Sequence, residues 1–204
     1  MSPHLPADHR QDRADALKTA AVASASLAAG GLLAAALPLA LASSPSNARD
    51  RALDLLLLVE LQQESFYAAA AEVAHEEGGE LEEFVYTAHD HERTHLRLVR
   101  QLRGSRPEPR ASFDFGDDVK SRESVLSAAQ ALEDLNVATY NGQLANLDRA
   151  SRQLTGRIAA TEARHATWAG RLSGDMSFTT TTDPAFGEAQ TRAEIERLGY
   201  LQEG

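Results

Sequence analysis

Four short patterns carry the chemistry this sequence could perform. Glu92-Arg-Thr-His95 and Glu162-Ala-Arg-His165 each set a carboxylate and an imidazole three residues apart. On a helix such a pair shares one face and points into one space, so each can chelate a cation. Glu60 with Tyr67, and Glu133 with Tyr140, set a carboxylate and a phenol seven apart. Seven residues is nearly two turns, which keeps both groups on almost one stripe. Helical side chains lean toward the N-terminus, so each phenol comes back toward the acids as a hydrogen-bond partner behind them.

Chance does not readily produce this set. With 17 Glu, 7 His and 4 Tyr in 204 residues, random placement gives roughly 0.6 Glu-x-x-His and roughly 0.3 Glu-x6-Tyr. A third Glu-x-x-His, Glu72 with His75 near the end of the first helical stretch, is read as such a chance match. Two of each pattern, alternating along four successive helical stretches, is a signal. A buried carboxylate without a partner costs several kcal/mol. Two divalent cations neutralise four carboxylates, and ligands that are ruinous empty become stable when filled. Oxygen and imidazole donors with no sulfur suit iron or manganese, with zinc an occupant in vitro.

The elements that must hold these residues read as helices throughout. Apolar stripes at helical spacing run over about 49–75, 80–103, 122–147 and 151–172, with no competing strand alternation. Gly78-Gly79 links the first two tightly, Gly104 and Pro107/Pro109 stop the second, and Ser121 is placed to cap the third. Short links make each pair an antiparallel hairpin. Residues 105–121 can extend about 55 Å, whereas a 25-residue helix is about 37 Å long. The expected architecture is therefore all-α, a four-helix bundle with one long crossover between helices 2 and 3. After Gly174 comes a Thr-rich strip and a short final helix from about Arg192, with Thr191 and Glu194 at capping-box spacing; this tail is expected to lie against the bundle.

Composition narrows the function classes. Hydrophobic residues make up 43% and charged residues 25%, the balance of an ordinary globule. The net charge of −10 argues against phosphate-backbone binding, and 5% aromatics against a stacking platform for bases. No cysteine is present, which excludes disulfides, thiolate metal sites and thiol catalysis. Residues 20–42 carry no charge and end in Ala40-Leu41-Ala42, small residues at the first and third places of a signal-peptidase triplet. Three fates stay open for this run: a cleaved export signal, a retained membrane anchor, or an Ala-rich soluble helix or flexible arm. Export is the leading reading, and no adjacent Arg-Arg pair supports the twin-arginine route. The organisation expected is 1–48 signal or anchor, 49–174 bundle, and 175–204 tail.

The order Glu-x6-Tyr, Glu-x-x-His, Glu-x6-Tyr, Glu-x-x-His on a one-crossover bundle resembles the ferritin-like superfamily, in the rubrerythrin and ferritin sense. The stretch Val59-Glu60-Leu61-Gln62-Gln63-Glu64-Ser65-Phe66-Tyr67 also resembles exported ferritin-like proteins related to plant desiccation proteins. The resemblance implies two metal ions, iron with manganese as the alternative. It implies Glu60, Glu92, His95, Glu133, Glu162 and His165 as ligands, with Glu92 and Glu162 bridging, and oxygen or peroxide as co-substrate in a ferroxidase- or peroxidase-type reaction. Rubrerythrin's cysteine-rich electron-donor module is absent, and a membrane-linked chain fits a closed storage cage poorly. Two other readings stand beside it: a stress-related structural bundle whose metal is only a staple or is absent, and a manganese catalase-like activity. A homodimer is a fair prior for such bundles. Glu64 is an alternative to Glu60 or an entry carboxylate; His89 is an extra ligand, a gate or an exposed residue. His75 and His91 read as surface, and Trp168 as packing between helices.

Overall fold

The computed structural model describes residues 45–175 and 181–202; the uncharged run 20–42 and its processing triplet lie outside the described residues. No helix among the described residues is long and apolar enough to cross a membrane.

Four long helices form, close to where the apolar stripes put them: α1 (Pro45–Glu77), α2 (Gly79–Arg103), α3 (Arg122–Gln143) and α4 (Arg149–Ser173). Gly78 and Gly79 both take positive φ, +66° and +62°, a conformation that lets the chain reverse within two residues. In α2 the acids Glu80 and Glu82 occupy the first turn and Arg100 and Arg103 the last, each complementing the helix dipole. Ser121 caps α3 reciprocally with Ser124, and Asp148 caps α4 by accepting from the Ser151 backbone N–H. Helix α3 ends four residues before the sequence stripe does, and a 3-10 turn, Leu144–Asn146, closes it.

α1 packs along α2 and α3 along α4, and the two hairpins meet through α1 against α3 and α2 against α4. Arg49 ties the hairpin ends together, reaching Asp148 Oδ2 at 2.6 Å and the Leu102 carbonyl at 3.1 Å. Apolar packing divides into two clusters. One gathers Phe66, Tyr67, Phe84, Leu126 and Leu132; the other gathers Leu53, Leu56, Leu57, Val99, Tyr140 and Ile158. Each helix runs from one cluster to the other, and the acids and histidines sit on the stretch between.

The tail departs from expectation in detail. α5 spans Glu188–Leu198 with Gly187 at its N-cap, so Thr191 and Glu194 lie inside the helix and do not form a capping box. Thr191 is instead buried, its hydroxyl 3.2 Å from that of Thr139 on α3. Before α5 the chain runs against α3: Phe186 N–H donates to the Ala138 carbonyl at 2.7 Å. Gly142 permits this approach, since a Cβ there would overlap the Phe186 backbone. After α5 a two-residue antiparallel pairing joins the crossover segment β1 (Ser112–Phe113) to β2 (Leu201–Gln202), a short ladder that no strand pattern announces.

Candidate metal centre

Each of the four helices delivers its acid to one buried point. Glu60 on α1, Glu92 on α2, Glu133 on α3 and Glu162 on α4 are wholly buried, and His95 and His165 nearly so. The reason is local: in every helix the acid lies on the apolar stripe, and the stripe has nowhere to turn but inward. Glu60, Glu92, His95 and Glu162 offer donor atoms all within 4.8 Å of one another, and so do Glu92, Glu133, Glu162 and His165. Glu92 and Glu162 are common to both groups. All six residues singled out by spacing come together, and two adjacent four-donor sites share an edge.

Both histidines turn Nδ1 inward. His95 Nδ1 lies 2.8 Å from Glu162 Oε1, and His165 Nδ1 lies 3.3 Å from Glu92 Oε1 and 3.4 Å from Glu133 Oε1. These atoms are close but not aligned for hydrogen bonds. Glu60 Oε2, both oxygens of Glu92, both of Glu162, and Nδ1 of both histidines are buried without a hydrogen-bond partner. Orphaned buried polar atoms are rare in folded proteins and call for a reason. Here the orphans converge, and a cation pair is the group that they fit.

Electrostatics agree. Burial, then Glu92 and Glu162, push Glu60 well above the usual carboxylate range, and burial does the same to Glu133. Burial opposes charge on Glu162, yet His165 and His95 bring it down to about 2. Burial likewise opposes charge on the imidazoles, but Glu162, Glu92 and Glu60 push His95 up to about 11, and Glu133, Glu162 and Glu92 push His165 up to about 12.

The phenols sit behind the acids and cross over. Tyr67 on α1 donates to Glu133 on α3, and Tyr140 on α3 donates to Glu60 on α1. Burial and the facing carboxylates raise both phenols well above their ordinary range, so each keeps its proton as a donor.

Residues 50–175 match the family profile of the ferritin-like domain, more than half of the chain. The chain belongs to the ferritin-like family. None of the curated proteins compared with it matches. The match begins in α1 and runs through the end of α4, so every residue of this ferritin-like site lies inside it.

Spacing did not single out two residues that reach the site. Gln63 Nε2 donates to Glu133 Oε2 at 3.3 Å and to the Leu132 carbonyl at 3.2 Å. His91, expected as a surface side chain, does reach solvent, but its Nδ1 stands 2.9 Å from His165 Nε2. Its place next to Glu92 was the only signal. Glu64 and His89 face each other at 3.5 Å across α1 and α2, and neither falls in a four-donor group. His75 is exposed and pairs with Glu82, and Trp168 packs edge-on to Phe84 with ring centres 5.3 Å apart.

Proposed function

We propose that this ferritin-like protein binds two transition-metal ions, iron in this reading, and reacts Fe(II) with oxygen or peroxide outside the cytoplasm. One observation carries the reading: seven buried donor atoms without hydrogen-bond partners converge in two groups that share Glu92 and Glu162. Bound there, iron would supply the redox chemistry, and the side chains supply its binding and orientation.

The protein supplies the rest. Glu92 and Glu162 belong to both positions and hold the ions as a pair. Glu60 with His95, and Glu133 with His165, close the two ends. Tyr140 and Tyr67 fix the orientation of Glu60 and Glu133 through hydrogen bonds to one oxygen of each. The apolar clusters on either side keep the space dry, which strengthens every charge interaction inside it. Support for an extracytoplasmic site comes from the uncharged run 20–42 and its Ala40-Leu41-Ala42 end; mass measurement of protein from an exporting host separates cleavage from a retained tether.

The direct test is metal content and Fe(II)-oxidation rate on one preparation of the full chain. The expected result is about two ions per chain, loss of both in Glu92→Ala, and oxidation faster than in buffer. No iron or manganese after loading defeats the reading; two ions with no oxidation leaves a structural staple.

A further inference from the structure

The two ends of the centre are held unequally. Glu133 is fixed at both oxygens, Oε1 by Tyr67 and Oε2 by Gln63. Its imidazole partner is fixed from behind as well. His91 and His165 have ring centres 5.2 Å apart and planes 14° apart, with Nδ1 of one 2.9 Å from Nε2 of the other. Two nearly coplanar rings meeting nitrogen to nitrogen give this geometry. With His165 Nδ1 turned to the acids, its Nε2 carries the proton and donates to His91 Nδ1, which sets both the tautomer and the ring's rotation.

The other end lacks each of these supports. Glu60 is bonded at Oε1 by Tyr140, while its Oε2 has no partner. Asn136 stands on α3 where Gln63 stands on α1, but it is too short to copy the contact, and its Nδ2 is buried unpartnered. Thr161 stands on α4 where His91 stands on α2, and its hydroxyl donates to its own helix, to the Arg157 carbonyl at 3.3 Å. His95 instead borders a groove of about 380 Å³ between α2 and α4, shared with Thr94, Leu98, Ile158 and Thr161.

We infer that His91 is a positioning residue for one end of the centre, which makes Glu133/His165 the tightly held metal position and Glu60/His95, beside the groove, the exchangeable one. The inference rests on the metal-binding reading above. A ligand locked by outer hydrogen bonds need not be ordered when the ion arrives, and losing such a partner costs about 10–100-fold in affinity.

Anaerobic titration of the full chain with Co(II), followed by calorimetry and visible absorption, tests it. Wild type is expected to bind in two resolved steps. His91→Ala should weaken the tighter step about 10–100-fold, shift the absorption bands of the first equivalent, and leave the weaker step alone. His91→Asn, whose Oδ1 can replace Nδ1 as acceptor, should restore most of the loss, and Thr161→Ala should change neither step. His165→Ala should remove the tighter step and His95→Ala the weaker. An unchanged tighter step in His91→Ala, no rescue by His91→Asn, or removal of the weaker step by His165→Ala overturns the inference while the metal reading stands. A wild-type chain that takes up no Co(II) defeats both.

Discussion

The hairpin of α1 and α2 and the hairpin of α3 and α4 present acid, phenol, acid and imidazole in one order, and they differ in nearly everything around those groups. Near its acid α1 carries Gln63, where α3 carries Asn136; α2 carries His91, where α4 carries Thr161. At the position on α1 that matches Gly142, α1 has the exposed Ala69, whereas on α3 the tail at Phe186 lies against the backbone. The shared residues build two four-donor groups with Glu92 and Glu162 in common, and in the proposed reading the differences grade the two ends. Because each phenol serves the opposite hairpin's acid, neither hairpin makes a complete half-site on its own.

The largest effect should come from the acids common to both positions. Glu162→Ala should lower metal content from about two ions to none, whereas Glu60→Ala should leave about one, as read by elemental analysis. Equal losses in the two variants would break the distinction between shared and terminal acids. Protons come next. His95 and His165, held near 11 and 12, carry their protons at neutral pH and must release them to bind through Nδ1. Raising the pH therefore favours loading, by up to about tenfold per pH unit for each proton displaced. Calorimetry in buffers of different ionisation enthalpy counts those protons.

A backbone change should separate the hairpins without touching a ligand. Gly142→Ala forces Phe186 off α3 and should cost about 2–3 kcal/mol, a fall in Tm of about 4–12 °C. Ala69→Gly, at the matching exposed place on α1, should cost only about 1 kcal/mol through helix propensity. The phenols give the smallest contrast. Tyr140→Phe leaves Glu60 with no hydrogen bond and should weaken the Glu60/His95 position by about tenfold; Tyr67→Phe leaves Glu133 still held by Gln63 and should weaken its position less. Reversal of that order in a Co(II) titration would remove Gln63 from the explanation.

How much of this was legible in the sequence follows from range. Helices, hairpins and crossover depend on spacing and on local stops such as Gly78-Gly79 and Ser121, and these are written along the chain. The acids and imidazoles were legible because a helix converts spacing into direction, and four stripes must face one another. The partners behind them were not. Whether His91 meets His165 depends on the rotation of α4 relative to α2, and whether Tyr67 serves Glu60 or Glu133 depends on which helix lies opposite. Thr191 shows the limit of a local signal: its spacing to Glu194 suits a cap, yet the hydroxyl found Thr139 from another helix. A two-residue ladder such as Ser112–Phe113 with Leu201–Gln202 is too short to leave a period.

That small ladder has a bearing on how copies of the chain treat one another. A crossover long enough to span the bundle could in principle carry the α3–α4 hairpin onto a neighbour's α1–α2 hairpin, since both present the same inward groups. Here the connector is fastened instead: Ser112 and Phe113 pair with Gln202 and Leu201, Asp114 N–H donates to the Tyr200 carbonyl at 2.9 Å, and the Tyr200 hydroxyl donates to Asp118 Oδ2 at 2.8 Å. The clasp ties the connector to the segment that follows α5 in the same molecule, so an exchange hinged between Phe113 and α3 would have to break it first.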